Sequence, residues 1–531
     1  MNHHRQLMLR GGAALLLLGV LALVPWLAAS DSRVRGLALT SLKLAGYSTL
    51  LSVPVGSVLA WLLSRTDLPG RRFFFGLLGG MIFIPLYLQA AAWEAGFGQL
   101  GWYTISADQV AAPWLDGFRA AVWVHFITAV PWVVVIVSLG LHYVEPEIEE
   151  GALLDGGYAA VFWRITLPRA MAAIGIAGLW VFVTGCSEMV IADLFLVSTY
   201  ARELYAGQAL GDQLGDAWRR TLPSVGMLAW LVVAAAMGLA LVTQRSGPGT
   251  LRRPLTFSLG RARWLSAALA ALAVALIAGV PLFNLAVKAG VSVESIGGER
   301  VRSWSLLKFW DVTAPTINRF GEEFRWSLAI GLLAATATII VAGPLAWWAR
   351  RGGWRAVAPL SISAASLATP GPLIGLTLIF LLNRPGLYTV YDKTLLGPVL
   401  AVSIRSLPFA LGICWFGFSS VAEEVLESGE LDGAGPLRRF AVLATPQRLP
   451  VWFAAWLAAF SISLGDLSAS ILVYPPGVET IARRLFGLIH SGVRYQEAGL
   501  ALVSAVLFAL IAGLGWWMLS RTARALTASP Q

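Results

Sequence analysis

Long apolar runs, each cut off by a short charged or Gly/Pro-rich break, constrain this chain more than any other feature. About 20 apolar residues make a helix long enough to cross the hydrocarbon layer of a bilayer. Runs of that kind lie near residues 11–29, 38–63, 73–95, 119–142, 171–195, 223–243, 263–287, 326–349, 357–382, 397–417, 451–473 and 498–519. Backbone amides in lipid find no water, so each run must satisfy them within its own segment. The expected fold class is an all-α membrane protein of about twelve transmembrane helices. Composition agrees: 57% of the residues are hydrophobic and 13% charged, against about 45–50% and about 25% in soluble domains.

Arginine dominates the charged breaks: "SRTDLPGRR" after the second run, "TQRSGPGTLRRPLTFSLGRAR" after the sixth, "ARRGGWR" after the eighth, and Arg521 and Arg524 near the end. By the positive-inside rule these breaks and both termini are expected in the cytoplasm, although Arg219, Arg220, Arg483 and Arg484 fall on the outer side. The net charge of +10 is therefore read as an interaction with the lipid bilayer and not with nucleic acid. Arg5 and Arg10 followed by an apolar stretch resemble a signal peptide, but more membrane sequence follows, so an uncleaved first span is expected. Cys186 and Cys414 both fall inside runs, which suggests packing residues and neither a disulfide framework nor a metal pair. His125, in the fourth run, is read as a packed neutral imidazole in preference to a ligand.

The stretch from Thr243 to Arg263 divides the chain nearly in half, and the two sides share landmarks. Ser41 stands eighteen residues before Leu59-Ala60-Trp61, and Ser327 eighteen before Leu345-Ala346-Trp347. "EEGALLDGGYAAVFWRITLP", Glu149 to Pro168, is answered by "ESGELDGAGPLRRFAVLATP", Glu427 to Pro446. Twenty residues beyond each closing proline stands a carboxylate, Glu188 and Asp466. Two pseudo-symmetric six-helix halves are expected, 1–243 and 263–531, joined by a cytoplasmic linker at 244–262. Each carries an acidic loop before its fifth span, at 144–170 and 420–450. Repeats related by an axis along the membrane normal are one way to line a path between two halves.

Each acidic stretch reads as a run of helix formers ending at Asp-Gly, then an amphipathic stretch that stops at proline. That describes two short helices joined by a sharp glycine turn. A solvated loop balancing nearby arginines would account for one copy. Two copies before equivalent spans favour an elbow that contacts a cytoplasmic partner. Both stretches resemble the EAA loop of the membrane subunits of bacterial ABC importers, whose pattern is Glu-Ala-Ala, two residues, Asp-Gly, an apolar stretch and Leu-Pro. Here it reads Glu150-Gly151-Ala152 with Asp155-Gly156 and Leu167-Pro168, and Glu427-Ser428-Gly429 with Asp432-Gly433 and Thr445-Pro446. The departures are Gly151, Ser428 and one extra residue before the second proline. "LAWLLSRTDLPGRR" and "SLGDLSASILVYPPGVETIARRLF" extend the resemblance to the fused, two-copy permeases of the ferric-iron importer group.

The resemblance implies the type I importer permease fold and an inner-membrane location in a bacterial cell. It also implies that Glu150, Gly151, Asp155, Gly156 and Pro168, with Glu427, Gly429, Asp432, Gly433 and Pro446, couple the chain to two copies of a cytoplasmic ATPase. An extracytoplasmic solute-binding protein would deliver the solute, with ferric iron ahead of thiamine or a phosphonate. A nucleotide-cradling loop G-x-x-x-x-G-K-[ST] needs a lysine after glycine; the lysines are Lys43, Lys288, Lys308 and Lys393, and none follows a glycine. The chain is therefore expected to bind no cofactor, with ATP held by the partner subunits and no catalytic site of its own.

Carboxylates inside a span need a partner or a polar cavity. Twenty residues at about 1.5 Å each place Glu188 and Asp466 roughly 30 Å along their helices. Together with Asp193, two readings stand: a solute-facing pair at an outer gate, or structural carboxylates bonded to nearby Ser, Thr or backbone groups. Hard ferric ion would favour oxygen ligands, but no resident metal site is assigned. Arg483 and Arg484, in an outer loop that mixes arginines with aromatics, are expected to face the binding protein; the alternative is a helix resting on the lipid interface. A secondary transporter driven by ion gradients would have no reason to keep two coupling loops. For a membrane enzyme, no nucleophile-base pair is visible in the sequence.

Overall fold

A computed structural model of the chain describes residues 32–107, 112–209, 215–219, 221–222, 225–226, 229–230, 255–296, 299–352, 354–491 and 494–528. The runs expected near 11–29 and 223–243 lie outside these residues or nearly so. In chain order the principal helices begin with α1 (Ser32–Arg65), α2 (Arg71–Met81), α3 (Leu86–Phe97), α4 (Gly117–His142), α5 (Pro146–Asp155) and α6 (Leu167–Ser187). They continue with α7 (Val190–Leu194), α8 (Tyr200–Ala209), α9 (Arg263–Val274) and α10 (Val280–Gly290). A hairpin of β1 (Val291–Ile296) and β2 (Glu299–Trp304) follows, antiparallel with Val291 opposite Trp304. The remainder is α11 (Leu306–Thr313), α12 (Gly321–Ala349), α13 (Trp354–Ala368), α14 (Gly371–Leu382), α15 (Leu396–Ser419), α16 (Glu423–Leu431), α17 (Leu449–Gly465), α18 (Ile481–His490) and α19 (Arg494–Ala528).

Among the described residues seven helices are long and apolar enough to cross a membrane, or ten if each of three sharply bent pairs counts as one span. The chain is thus an all-α, multi-pass membrane protein. The ten coincide with ten of the expected runs, but two runs expected to be continuous are broken. The third bends by 102° between α2 and α3, and the ninth by 106° between α13 and α14. Each break falls at a proline, Pro85 and Pro370, in extended backbone (ψ 149° and 139°). Proline removes a donor and disfavours helix in the residue before it. It does not decide alone, because helices continue through Pro54, Pro131, Pro344 and Pro408.

At both breaks a side chain takes up the freed carbonyls. Gln89 Nε2 donates to Ile84 O at 3.1 Å and Met81 O at 3.5 Å. Arg405 Nη1 donates to the carbonyls of Ser366 and Thr369, both at 3.4 Å. Without such partners, carbonyls released in an apolar surround would cost several kcal/mol.

The chain forms two compact units. One is drawn from Met1–Glu203, Ala234–Phe320 and Leu485–Val506; the other from Leu204–Val233, Gly321–Arg484 and Leu507–Gln531. In the first, α1, α4 and α6 pack on one another around Leu44, Leu63, Val124, Val134 and Val181. Small residues allow this approach in lipid, where the hydrophobic effect gives no drive to helix pairing: a Cβ on Gly56 would lie 2.6 Å from Val133 Cβ. In the second unit α12, α15 and α17 make the corresponding trio.

Candidate functional site

Each acidic stretch begins as a short helix, α5 and α16, with carboxylates in its first turn, where they complement the helix dipole. The two then turn differently. Gly433 has φ +77°, a left-handed conformation that disfavours any side chain. Gly156 has φ −159°, extended backbone open to any residue, so the expectation of a glycine-demanding turn at both positions holds only for Gly433. Gly429 packs closely on the same loop: a Cβ there would lie 2.4 Å from Leu443 Cδ1, so that side chain would have to shift.

The amphipathic stretch does not stop at Pro168 as expected. It runs from Tyr158 through one π-helical turn, Phe162–Thr166, straight into α6. The wider turn carries the ladder past a residue that has no N–H to donate. In the second copy a π turn at Arg439–Ala444 is followed by an 83° bend after Gln447. Glu150, Gly151, Asp155 and Pro168 are exposed, as are Glu427, Asp432, Gly433 and Pro446. Immediately before each Asp-Gly stands a leucine, Leu154 and Leu431, and each is 89% exposed.

Beneath the first loop lies a buried ion pair, Arg65 with Glu149, both fully enclosed. Arg65 Nη1 also donates to Leu141 O at 2.6 Å and its Nε to Leu255 O at 3.1 Å, while Thr166 Oγ1 donates to Glu149 Oε1 at 2.6 Å. The positions matching Glu149 and Thr166 in the second copy, six before Asp432 and two before Pro446, are Leu426 and Ala444, buried and apolar.

Glu188 and Asp466 do not sit within their helices. Each is the first residue beyond one, in extended backbone (ψ 137° and 121°). Each carboxylate folds forward to accept from the next turn: Glu188 from the amides of Val190 and Ile191 at 2.6 and 3.0 Å, Asp466 from the amide of Ala469 at 3.1 Å. A carboxylate that accepts the amides of the following turn, at the start of α7 for Glu188 and in a non-helical turn for Asp466, favours a break there, which ends α6 and α17 short of the expected spans. Each also faces a basic group on a neighbouring helix, His125 Nε2 at 3.8 Å from Glu188 and Arg405 Nε at 3.8 Å from Asp466.

Asp193 lies in α7, outside the span it was expected in, and accepts from Arg202 Nε at 2.9 Å with His490 Nε2 at 3.2 Å. Burial opposes its ionisation, but the hydrogen bonds from His490 and Arg202 outweigh it and hold the carboxyl below its ordinary value. The hydrogen bond to Asp193 in turn raises His490 above its own. Arg483 is exposed, with Nη1 on Val478 O at 3.3 Å. Arg484 is bound to Glu323 at 2.8 Å and Glu479 at 3.1 Å.

Three charged residues inside the bundle escaped the sequence reading as a group. Lys288 Nζ lies 3.1 Å from Glu94 Oε2 and 2.9 Å from Glu497 Oε2, all within one unit and all largely buried. Arg405 escaped as well. The available signal was a charged residue within or at the rim of an apolar run, which by itself marks a paired or functional group.

No family model matches the chain. Among curated proteins it is 30% identical over 97 residues to the putrescine transport system permease protein PotI of Escherichia coli (strain K12), spanning 34% of that protein's length and 18% of its own. It is 25% identical over 205 residues to the molybdenum transport system permease protein ModB of Azotobacter vinelandii, covering 90% of that protein. It is 31% identical over 193 residues to the "Putative ABC transporter permease protein ORF1" of Streptomyces antibioticus, covering 82% of it with 35% of this chain. A helical, multi-pass membrane protein with these similarities is a transport permease. The chain belongs to the ABC transporter permease family.

Proposed function

We propose that this chain is the permease subunit of an ATP-driven importer in a bacterial inner membrane, with both acidic loops seated on separate cytoplasmic ATPase subunits and both termini on that same side. The observation that carries the reading is the pair of leucines, Leu154 and Leu431, exposed at matching positions beside Asp-Gly. An apolar side chain held out in water on a short helix, ringed by carboxylates, suits insertion into a partner's pocket, where a single anchor contributes most of the binding energy. Glu150, Asp155, Glu427 and Asp432 form the polar rim, and two loops in one polypeptide match two ATPase subunits. About a third of this chain covers most of ModB and of ORF1, which supports two permease copies in one chain.

The solute would reach the path from an extracytoplasmic binding protein docked near Arg483. For its identity we retain ferric iron on the resemblance to that importer group alone; the names of the relatives carry putrescine, spermidine and molybdenum instead. Glu188 and Asp466, each beside a basic partner, are assigned to holding the breaks after α6 and α17, and through them the shape of the path. The test is co-purification. Leu154→Asp with Leu431→Asp should release the ATPase subunits from an intact permease and abolish permease-stimulated ATP hydrolysis. Retention of both subunits would overturn the reading. Uptake of ferric citrate, thiamine, putrescine and molybdate by cells carrying the whole system then decides the solute.

A further inference from the structure

The two acidic loops are held from beneath by different means. In the second unit an aromatic cluster built wholly from that unit's own helices lies under the loop: Trp347, Phe418, Phe440 and Trp452, with ring centroids 5.5 to 6.1 Å apart. The repeat register gives the matching positions in the first half. Trp61 matches Trp347 as the third residue of Leu-Ala-Trp, and Phe162 matches Phe440, six residues before the closing proline. Leu141 matches Phe418, fourteen before Asp-Gly, and Ile174 matches Trp452, six after the proline. Two rings of the second cluster are thus aliphatic in the first.

The vacant volume is filled by Phe257, which comes from the segment joining the two halves. Its ring lies 5.8 Å from Trp61, 6.4 Å from Phe162 and 5.7 Å from Tyr158, which stands just past the first Asp-Gly-Gly. It is almost wholly buried, and the Arg65 guanidinium lies 5.9 Å from its centroid. The backbone fixes the same segment. Phe257 N donates to Arg65 O at 2.7 Å, Asp67 N to Phe257 O at 3.3 Å, and Leu259 N to Asp67 Oδ1 at 2.8 Å. Arg65, which also holds Glu149 of the first loop, donates to Leu255 O of this segment. Among the described residues, no such bridge joins the matching bend after α12.

We propose that Phe257 is a positioning residue: the linker reaches back as a latch that locks the first acidic loop, a restraint that, among the described residues, the second loop does not have. The consequence for coupling rests on the reading that these loops drive the ATPase subunits. Both loops rest on aromatic rings, so what distinguishes the first is the backbone: the hydrogen bonds between Phe257 and the bend after α1 fix the segment that carries its ring. The first loop would therefore be the stiffer of the two, and the two ATPase seats are inequivalent by construction.

The experiment uses the full chain in complex with its ATPase, with a spin label on Ala159→Cys or, in a separate protein, on the matching Leu437→Cys. Both positions are exposed, whereas the native Cys186 and Cys414 are buried. Phe257→Ala should increase the mobility of the label at 159, leave the label at 437 unchanged and lower permease-stimulated ATP hydrolysis, while Phe257→Tyr, which keeps the ring, should keep the mobility at 159 and the hydrolysis as they are with Phe257. Should the alanine variant fail to fold, Phe257→Leu carries the same readouts. Unchanged mobility at 159, or equal loosening at both labels, overturns the latch. Loosening at 159 alone with unchanged hydrolysis overturns the coupling role of the loop and with it the reading on which the consequence rests.

Discussion

Replacing Lys288 by methionine removes the one ammonium that holds two carboxylates within 3.1 Å inside the first unit. Glu94 comes from α3, Lys288 from α10 and Glu497 from α19, so one cation ties together three separate helices. Breaking a buried pair by deleting one partner costs about 3–5 kcal/mol, because the remaining charge is left without compensation. Lys288→Met is expected in the upper part of that range, since it strands two carboxylates. Glu497→Gln should cost less: its amide still accepts from the lysine, one formal negative charge is removed, and Glu497 Oε1 has no hydrogen-bond partner to lose. Removing ammonium and carboxylate together, Lys288→Met with Glu497→Leu, should recover part of the loss, as apolar replacement of a whole buried pair often does. Denaturant titration of the detergent-solubilised protein, read by the fluorescence of its 23 tryptophans, supplies the midpoints. A Lys288→Met midpoint equal to that of Glu497→Gln would refute the argument, since it would mean that the ammonium meets water in the folded state.

Gly433→Val should destabilise the second loop by about 1–2 kcal/mol, the cost of a left-handed side chain, whereas Gly156→Ala should be nearly neutral; thermal midpoints of the two variants decide. Ser41 Oγ accepts the Tyr200 amide at 2.9 Å and Ser327 Oγ the Ile481 amide at 2.8 Å, each at the start of a short helix, α8 and α18. Alanine at either serine should cost about 1 kcal/mol and raise hydrogen exchange at those two amides, and unchanged exchange would contradict the assignment. His490 faces Asp193 and, farther off, Arg202. Its pKa is raised in the folded state, so the stability it contributes is complete below the ordinary histidine value of 6.5 and is lost as pH rises through the raised value. Asp193 is depressed, so its share is present above 3.8 and fails only on strong acidification. Exchange protection at the end of α18 should therefore fall on going above pH 6.5, and His490→Ala should remove that dependence.

The spans were legible because hydrophobic length has no second meaning in a chain this apolar. The loops were legible because Asp-Gly and a closing proline recur at spacings that differ by a single residue. The breaks were not. Prolines lie inside several apolar runs, and what separates Pro85 from Pro54 is Gln89, a side chain placed to donate to the carbonyls of Ile84 and Met81, five and eight residues earlier. For Pro370 that service comes from Arg405, thirty-five residues away in sequence, so no local window could reveal it. Glu188 and Asp466 were found as a pair by spacing, yet their position at a helix end follows from amide hydrogen bonds that hydropathy does not register.

The repeat itself was partly hidden for an electrostatic reason. Four residues after Thr199 stands Glu203, and four after Thr480 stands Arg484, opposite charges at matching positions. Residue matching scores this as a mismatch. In the structure Glu203 pairs with Arg33 near the start of α1, and Arg484 pairs with Glu323 near the start of α12. The attraction between two charges depends on the product of their signs and on their separation, not on which helix carries which sign. A pair of reversed polarity therefore ties the same elements while losing its resemblance, the more so because Arg33 stands eight residues before Ser41 and Glu323 four before Ser327. The serines escape this ambiguity, because a hydroxyl accepting a backbone amide has no charge-reversed equivalent. That is why Ser41 and Ser327 kept both identity and spacing while the ion pairs beside them did not.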